Sequence, residues 1–178
     1  MRHKYATRAI VLGRSPAGEA NASLALLTRE LGLVRARAQG LRKSGAKLAP
    51  ALATLAESEV ILVRGAEGWR LAGAALVEPW FGRIPARERE RAGRLAALSL
   101  RLISGEVADE RLFDALAAFL AALAAEEDAD AAEIRAALAL LAALGLDAGE
   151  LPADLERAAS GRASYISRIN RGIEASGL

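Results

Sequence analysis

Basic side chains recur through the stretch Val34 to Lys47, VRARAQGLRKSGAK, and this pattern suits binding to the phosphate groups of a nucleic acid. Arg35 and Arg37 alternate with apolar residues, and because a strand has a side-chain period of two, both would lie on one face of a sheet. Gly40 breaks the run, and a basic loop follows that contains Arg42, Lys43 and Lys47. A solvated strand edge, whose charges deter aggregation, is the alternative interpretation.

Other cations of the first half of the chain could extend this basic surface. Together they form the predicted DNA-binding set: Arg8, Arg14, Arg35, Arg37, Arg42, Lys43, Lys47 and Arg70. We expect these side chains to follow a phosphate backbone largely independently of base sequence. Trp69 could stack on a base, but with aromatic residues at only 4% of the chain, packing in the core is favoured for it.

Residues that could perform catalysis or bind a metal are scarce in this sequence. The absence of cysteine excludes disulfides, a cysteine nucleophile, thiolate zinc sites and iron–sulfur clusters. His3 is the only histidine, and the segment GRSPAG lacks the lysine of a phosphate-binding loop. The acids between Glu126 and Asp130 do not have the spacing of a calcium loop and are interpreted as a solvated turn between helices. We therefore predict no enzyme, no cofactor and no metal site.

Charge is distributed unevenly along the chain. Residues 1–83 hold 13 Lys/Arg and 6 Asp/Glu, a net +7, whereas residues 84–178 hold 11 and 16, a net −5. This asymmetry indicates two modules with different partners, the basic one suited to nucleic acid. No window approaches the roughly 18 apolar residues of a membrane span, and the N-terminus does not have the pattern of a signal peptide, so we expect a cytoplasmic protein without membrane association.

The first 80 residues contain the patterns of about five short strands with no strong helix between them. The predicted strands are Tyr5–Gly13, Ala22–Arg29, Val34–Gly40, the long run Ala51–Val63, and Trp69–Val77. The second and third strands are expected to pair across a turn at Gly32. This count and spacing favour a five-stranded OB-fold barrel in residues 1–80, with an SH3-like barrel left open.

Beyond a boundary near Glu78 to Gly82, the apolar period changes from 2 to 3.6, which predicts a helical bundle in residues 81–178. The expected helices run from about Ala86 to Ile103, from a cap at Asp109 through Leu123, around Ile134 to a stop at Gly145, and through Tyr165 to Ile173. Four arginines share one face of the first helix, where a solvent-facing side is favoured over a binding surface: Arg87, Arg91, Arg94 and Arg101. The fold class is therefore α+β, a barrel followed by an all-α domain.

The segments AIVLGRSPAGEANASLALLTRELGLVRARAQGLRKSGAK and LAPALATLAESEVILVRGAEGWRLAGAALVE resemble the N-terminal barrel of RecO, a family of bacterial recombination mediators. The matching features are Gly18-Glu19 after the first strand, the LTRELG hairpin, and a strand that passes through Gly40 into a basic loop. A further similarity lies in IRAALALLAALGL, Ile134 to Leu146, which is similar to an arginine-containing helix of that family. Many family members also carry a four-cysteine zinc site, which this chain cannot form.

The resemblance implies an OB-fold, an α-helical domain, binding to single- and double-stranded DNA, and annealing of complementary strands. It also implies help in loading the recombinase onto DNA coated by single-strand-binding protein. The implied location is the bacterial cytoplasm, in association with the nucleoid. Implied partners are RecR and the acidic, apolar-ended C-terminal tail of the single-strand-binding protein, for which Arg135 is the matching residue. The competing hypothesis is a protein-interaction adaptor that does not bind DNA.

Overall fold

Five β-strands form a closed barrel at the N-terminal end of the chain. The structure, a computed structural model, describes residues 3–41, 48–150 and 161–178. The strands are β1 (Lys4–Pro16), β2 (Ala22–Thr28), β3 (Gly32–Ala38), β4 (Ala56–Gly65) and β5 (Gly68–Pro79). Each overlaps one of the predicted strands, and β1 and β5 extend further than the apolar pattern indicated.

The barrel closes in the order β1-β2-β3-β5-β4, which confirms the predicted OB-fold. β2 and β3 pair antiparallel across the turn at Gly32, as expected, and this glycine has a φ of +73°. β3 meets β5 in a short parallel pairing at Ala36↔Trp69 and Arg37↔Arg70, while the other four strand pairs are antiparallel. The β3–β5 contact therefore brings together two parts of the chain that are distant in sequence.

Alternating apolar side chains fill the barrel, because successive residues of a strand point to opposite sides. Leu24, Leu26, Val34 and Leu62 are completely buried there, and Trp69 is 8% exposed. The arginines between the buried residues of β3 are exposed, which confirms the alternation that the sequence predicted for this strand.

The run from Ala51 to Val63 is not one strand, and in this respect the sequence interpretation was wrong. Pro50–Leu52 forms a 3₁₀ turn, which proline favours through its fixed φ, and β4 begins only at Ala56. The Ser58 hydroxyl donates to the Ala51 carbonyl at 2.6 Å, and this bond holds the turn against the strand that follows. The apolar pattern is continuous because both the turn and the strand bury their side chains.

Helices follow the barrel strands, as predicted. They are α1 (Trp80–Arg83), α2 (Arg89–Leu102), α3 (Glu110–Ala124), α4 (Ala129–Ala143) and α5 (Arg162–Ala175), with a 3₁₀ turn at Ala86–Glu88 before α2. Asp128 caps α4 by accepting the Ala131 N–H at 3.1 Å, so the acidic run between α3 and α4 leads directly into the next helix. Among the described residues, every helix falls short of the length and apolar character that a membrane span requires.

The chain divides into two compact units. The barrel unit comprises Met1–Arg83 and Gly105–Phe113, and the helical unit comprises Ile84–Ser104 and Asp114–Leu178. The segment between α2 and α3 thus belongs to the barrel unit, although it lies far beyond the barrel strands in sequence. Its Gly105 carbonyl accepts the Leu33 N–H of β3 at 3.2 Å.

Candidate nucleic-acid interface

A row of basic residues crosses the outer wall of the barrel. The strand register places Lys4 opposite Val63, Val63 opposite Arg70, and Arg70 opposite Arg37. Residues that oppose each other across neighbouring strands present their side chains on the same face, so the three cations share one surface. All three are exposed. Sequence reasoning identified Arg37 and Arg70 but missed Lys4, because the register that brings the N-terminal strand beside them is a property of the barrel.

A cleft of about 400 Å³ adjoins this row. Its walls come from the β1–β2 loop, the end of β3 and the β4–β5 hairpin, and its lining includes Asn21, Arg37, Gln39, Trp69 and Arg70. The Asn21 side chain accepts the Gly40 N–H at 3.1 Å, which ties the β1–β2 loop to the end of β3. The β1–β2 loop, the β4–β5 loop and the face of β2 and β3 are the parts with which OB-folds bind oligonucleotides and oligosaccharides.

The other predicted DNA-binding residues lie in different environments. Arg35 is exposed on the same face of β3 as Arg37. Arg14 is exposed near the end of β1, opposite the core residue Leu24, and therefore lies on the inner side of its strand. Arg8 is an ion-pair partner of the buried Glu57 and is treated with it below.

Arg8 lies among carboxylates rather than cations. Its Nη1 is 3.3 Å from Oε1 of Glu57, which is 4% exposed, and its backbone lies opposite the exposed Glu59. Glu57 also accepts the indole N–H of Trp80 at 3.0 Å. The structure thus gives Arg8 a partner within the protein. The loop cations Arg42, Lys43 and Lys47 lie outside the described residues and remain predictions.

Trp69 packs into the barrel, which confirms core packing as its role. Its ring meets Tyr5 edge-on at a centroid distance of 5.2 Å, and the Arg64 guanidinium lies over it at 4.9 Å. The indole N–H donates to Glu106 at 2.9 Å, and Arg64 also donates to this carboxylate. The Trp69 and Arg64 hydrogen bonds hold the pKa of Glu106 below its usual value. The ring is therefore packed against Tyr5 and Arg64 and is not free to stack on a base.

The helical unit carries an apolar groove of about 690 Å³ between α2, α4 and α5. Its floor consists of aliphatic side chains: Leu95, Leu98, Ile134, Ala137, Ile166, Ile169 and Ile173. Arg94 and Arg101 of α2 also line it, and Arg94 bonds to Glu133 at 3.2 Å. Arg135, the predicted partner-binding residue, is half-buried on another side of α4 and does not line this groove. The described residues contain no group of three acidic, histidine or cysteine side chains placed to bind a metal ion.

Comparison with known proteins matches residues 1–80 to the family model described as "Recombination protein O N terminal". Curated relatives are each named "DNA repair protein RecO". The protein from Dehalococcoides mccartyi is 43% identical over 63 residues, which are 35% of this chain and 25% of the relative. The Acaryochloris marina protein is 39% identical over 82 residues, 46% of this chain and 28% of the relative.

A longer match extends beyond the barrel. The Gloeobacter violaceus protein is 34% identical over 122 residues, which are 68% of this chain and 47% of that relative. The matched region therefore covers less than half of the length of each of these three relatives.

Proposed function

The chain belongs to the RecO family, and from this premise we propose that it binds DNA through its barrel and acts as a recombination mediator in DNA repair. The observation that carries the proposal is the cleft where Arg37 and Arg70 lie side by side, between the loops that OB-folds use to bind oligonucleotides. Lys4 continues the basic row along the wall, and Arg35 lies on the same face of β3.

Contacts of this kind bind the phosphate backbone and do not read base sequence. Neutralising the charges of two strands lowers their mutual repulsion, and weak, salt-sensitive contacts allow the strands to shift until their bases pair. This mechanism supports binding to both single- and double-stranded DNA and annealing of complementary strands. It requires no catalytic group.

The apolar groove of the helical unit supports the second part of the proposal, which is capture of the single-strand-binding protein. An acidic peptide that ends in apolar residues would place its side chains on Leu98 and Ile169 and its carboxylates near Arg94 and Arg101. Binding that partner and DNA on the same protein would assist recombinase loading. RecR remains a partner proposed from the family alone.

The first experiment is fluorescence anisotropy of a labelled single-stranded oligonucleotide across a salt series. The logarithm of the affinity should fall linearly with the logarithm of the salt concentration, by about −0.7 per phosphate contact. The double variant Arg37→Ala/Arg70→Ala should reduce that slope by about 1.4, since two contacts are lost. Arg83→Ala, which removes an arginine paired with Glu78 in the same unit, is the matched control.

Two results would decide against the proposal. Absence of binding even at low salt would favour the adaptor hypothesis, and an unchanged slope in the double variant would move the DNA-binding surface away from the cleft. A triple alanine variant at Arg42, Lys43 and Lys47 tests the basic loop in the same assay.

The groove is tested with a labelled acidic peptide that has apolar C-terminal residues and a free carboxylate. Arg101→Glu should weaken peptide binding about tenfold or more, because it replaces attraction by repulsion at the rim. A loss of binding in Arg135→Glu instead, with Arg101→Glu unaffected, would move the site to the other side of α4.

A further inference from the structure

Two hydrogen-bond donors of the β4–β5 hairpin converge on one carboxylate next to the basic cleft. Arg64 and Trp69 lie opposite each other across the hairpin, and both donate to Glu106. The Arg64 guanidinium also lies over the indole ring, 4.9 Å from its centroid, which fixes the relative position of the two donors. The geometry is that of a small anion-binding site whose present occupant is a side chain of the same protein.

This anion site is accessible from solvent. The side chains of Arg64 and Glu106 are 49% and 45% exposed, so an incoming anion can reach the guanidinium while the carboxylate is still bound. Trp69 also lines the cleft that contains Arg37 and Arg70, which places the anion site beside the proposed path of the DNA backbone. A phosphodiester oxygen accepts from guanidinium and indole donors as a carboxylate does.

The segment that carries Glu106 is anchored independently of the carboxylate. The Gly105 carbonyl accepts the Leu33 N–H at 3.2 Å, and the backbone of Val107 lies so close to Gly32 that a Cβ there would be 2.6 Å from the Val107 nitrogen. Because these backbone contacts do not involve the Glu106 side chain, the carboxylate can leave Arg64 by side-chain rotation while the segment stays on the barrel.

We propose that Arg64 and the indole N–H of Trp69 form a phosphate-binding site of the barrel, which Glu106 occupies in the DNA-free protein and from which a DNA phosphodiester displaces it. This inference rests on the proposed DNA-binding function and adds a residue that opposes it. Glu106 acts as an internal competitor, which weakens the contact and speeds the exchange of strands.

The decisive variant is Glu106→Gln, which keeps the shape of the side chain and removes its charge. It should bind the single-stranded oligonucleotide about fivefold more tightly at low salt, the scale of one exposed ion pair. Glu59→Gln removes the same charge from an exposed position of β4 and controls for the general increase in positive charge. Equal gains in the two variants would overturn the proposal.

The Arg64→Ala background tests whether Glu106 acts through the proposed site. Arg64→Ala alone should weaken oligonucleotide binding, and adding Glu106→Gln to it should give no further gain beyond that of Glu59→Gln. A fivefold gain that persists without Arg64 would show that Glu106 repels DNA from a distance rather than competing for the site.

A second measurement separates this inference from the proposed function. The described residues include two indole N–H groups, those of Trp69 and Trp80. NMR can record a separate signal for each, and the signal that disappears in Trp80→Phe belongs to Trp80, which leaves the other for Trp69. Titration with inorganic phosphate should shift the Trp69 signal, and more strongly in Glu106→Gln. If the oligonucleotide fails to bind but phosphate shifts the Trp69 signal, the DNA function fails and the anion site stands. If phosphate shifts the Trp69 signal in neither the wild type nor Glu106→Gln, the anion site fails.

Discussion

Arg8 and Arg37 both extend from barrel strands, but the carboxylates with which they pair differ in exposure. Arg8 lies 3.3 Å from the carboxylate of Glu57, whose side chain is 5% exposed, whereas Arg37 lies 3.5 Å from Glu67, whose side chain is 89% exposed. An ion pair to a buried carboxylate stabilises the fold, because removing the cation leaves a charge in a poorly solvated place. An exposed pair contributes little and exchanges readily with other anions.

Arg8→Ala should therefore lower the free energy of unfolding by about 1–2 kcal/mol, the scale of leaving a buried polar group without one of its partners. Arg37→Ala should change it by less than about 0.5 kcal/mol, as exposed substitutions do. Urea denaturation followed by circular dichroism measures both. Equal stabilities would show that Glu57 is sufficiently stabilised by the Trp80 indole alone.

Gly32 carries two constraints at the same position. Its φ is +73°, and a Cβ would collide with the backbone of Val107. Gly105 has the same φ of +73°, but a Cβ there meets no atom within 4 Å. Gly32→Ala should cost about 2–4 kcal/mol, whereas Gly105→Ala should cost only the left-handed backbone penalty of about 1 kcal/mol. Denaturant midpoints of the two variants measure the difference, and similar losses would show that the segment at Val107 moves away without cost.

At the scale of elements, arginine–aspartate pairs fasten α5 to the rest of the helical unit. Arg162 bonds to Asp128 at 2.5 Å, and Arg168 bonds through its Nε to Asp147 at 2.6 Å. The Arg168 hydrogen bonds are the main reason that the pKa of Asp147 lies below its ordinary value of 3.8. A lowered native pKa means that the stabilising contribution is complete above 3.8 and is lost as the pH falls through the native value.

Asp147→Asn should thus be less stable than the wild type at pH 7, by about 1–2 kcal/mol, and the difference should shrink as the pH falls below 3.8. Chemical denaturation at pH 7 and pH 3 tests this. Glu174→Gln, which changes an exposed acid of α5, is the control and should show no comparable loss at pH 7. A difference between Asp147→Asn and wild type that is independent of pH would indicate a packing effect instead.

At the scale of the whole molecule, charge is divided between the two units. The barrel unit has 14 Lys/Arg and 9 Asp/Glu, a net +5, and the helical unit has 10 and 13, a net −3. We expect the positive charge of the barrel unit to act on a polyanion such as DNA over the range of the Debye length, about 8 Å at physiological salt. In the helical unit, Arg94 and Arg101 line the apolar groove together with Asp130 and Glu133, and the two arginines would face an acidic peptide that bound there.

We therefore expect the two binding activities to be separable by mutation. Arg37→Ala/Arg70→Ala should weaken oligonucleotide binding about tenfold or more and leave acidic-peptide binding within twofold, because only one of the two charged surfaces is changed. Arg101→Glu should weaken acidic-peptide binding about tenfold or more and leave oligonucleotide binding within twofold. Anisotropy titrations with both probes on each variant measure this, and a variant that loses both activities while remaining folded would contradict the division.

The sequence alone determined the barrel, the change to helices near residue 80, and the exposure of Arg35 and Arg37, because local apolar periods of 2 and 3.6 reflect which side chains are buried. It also predicted the acidic turn before α4, where the structure shows Asp128 as the helix cap. These features depend on residues that are close together along the chain.

Which distant residues meet depends on the tertiary fold. Closure of the barrel placed Lys4 in the row with Arg37 and Arg70, the fold brought Glu57 to Arg8, and the segment after α2 brought Glu106 to Trp69. None of these pairs has a local signature, because strand register and loop docking follow from packing between parts of the chain that are far apart in sequence. The role of each cation is set by these contacts, which composition and spacing do not encode.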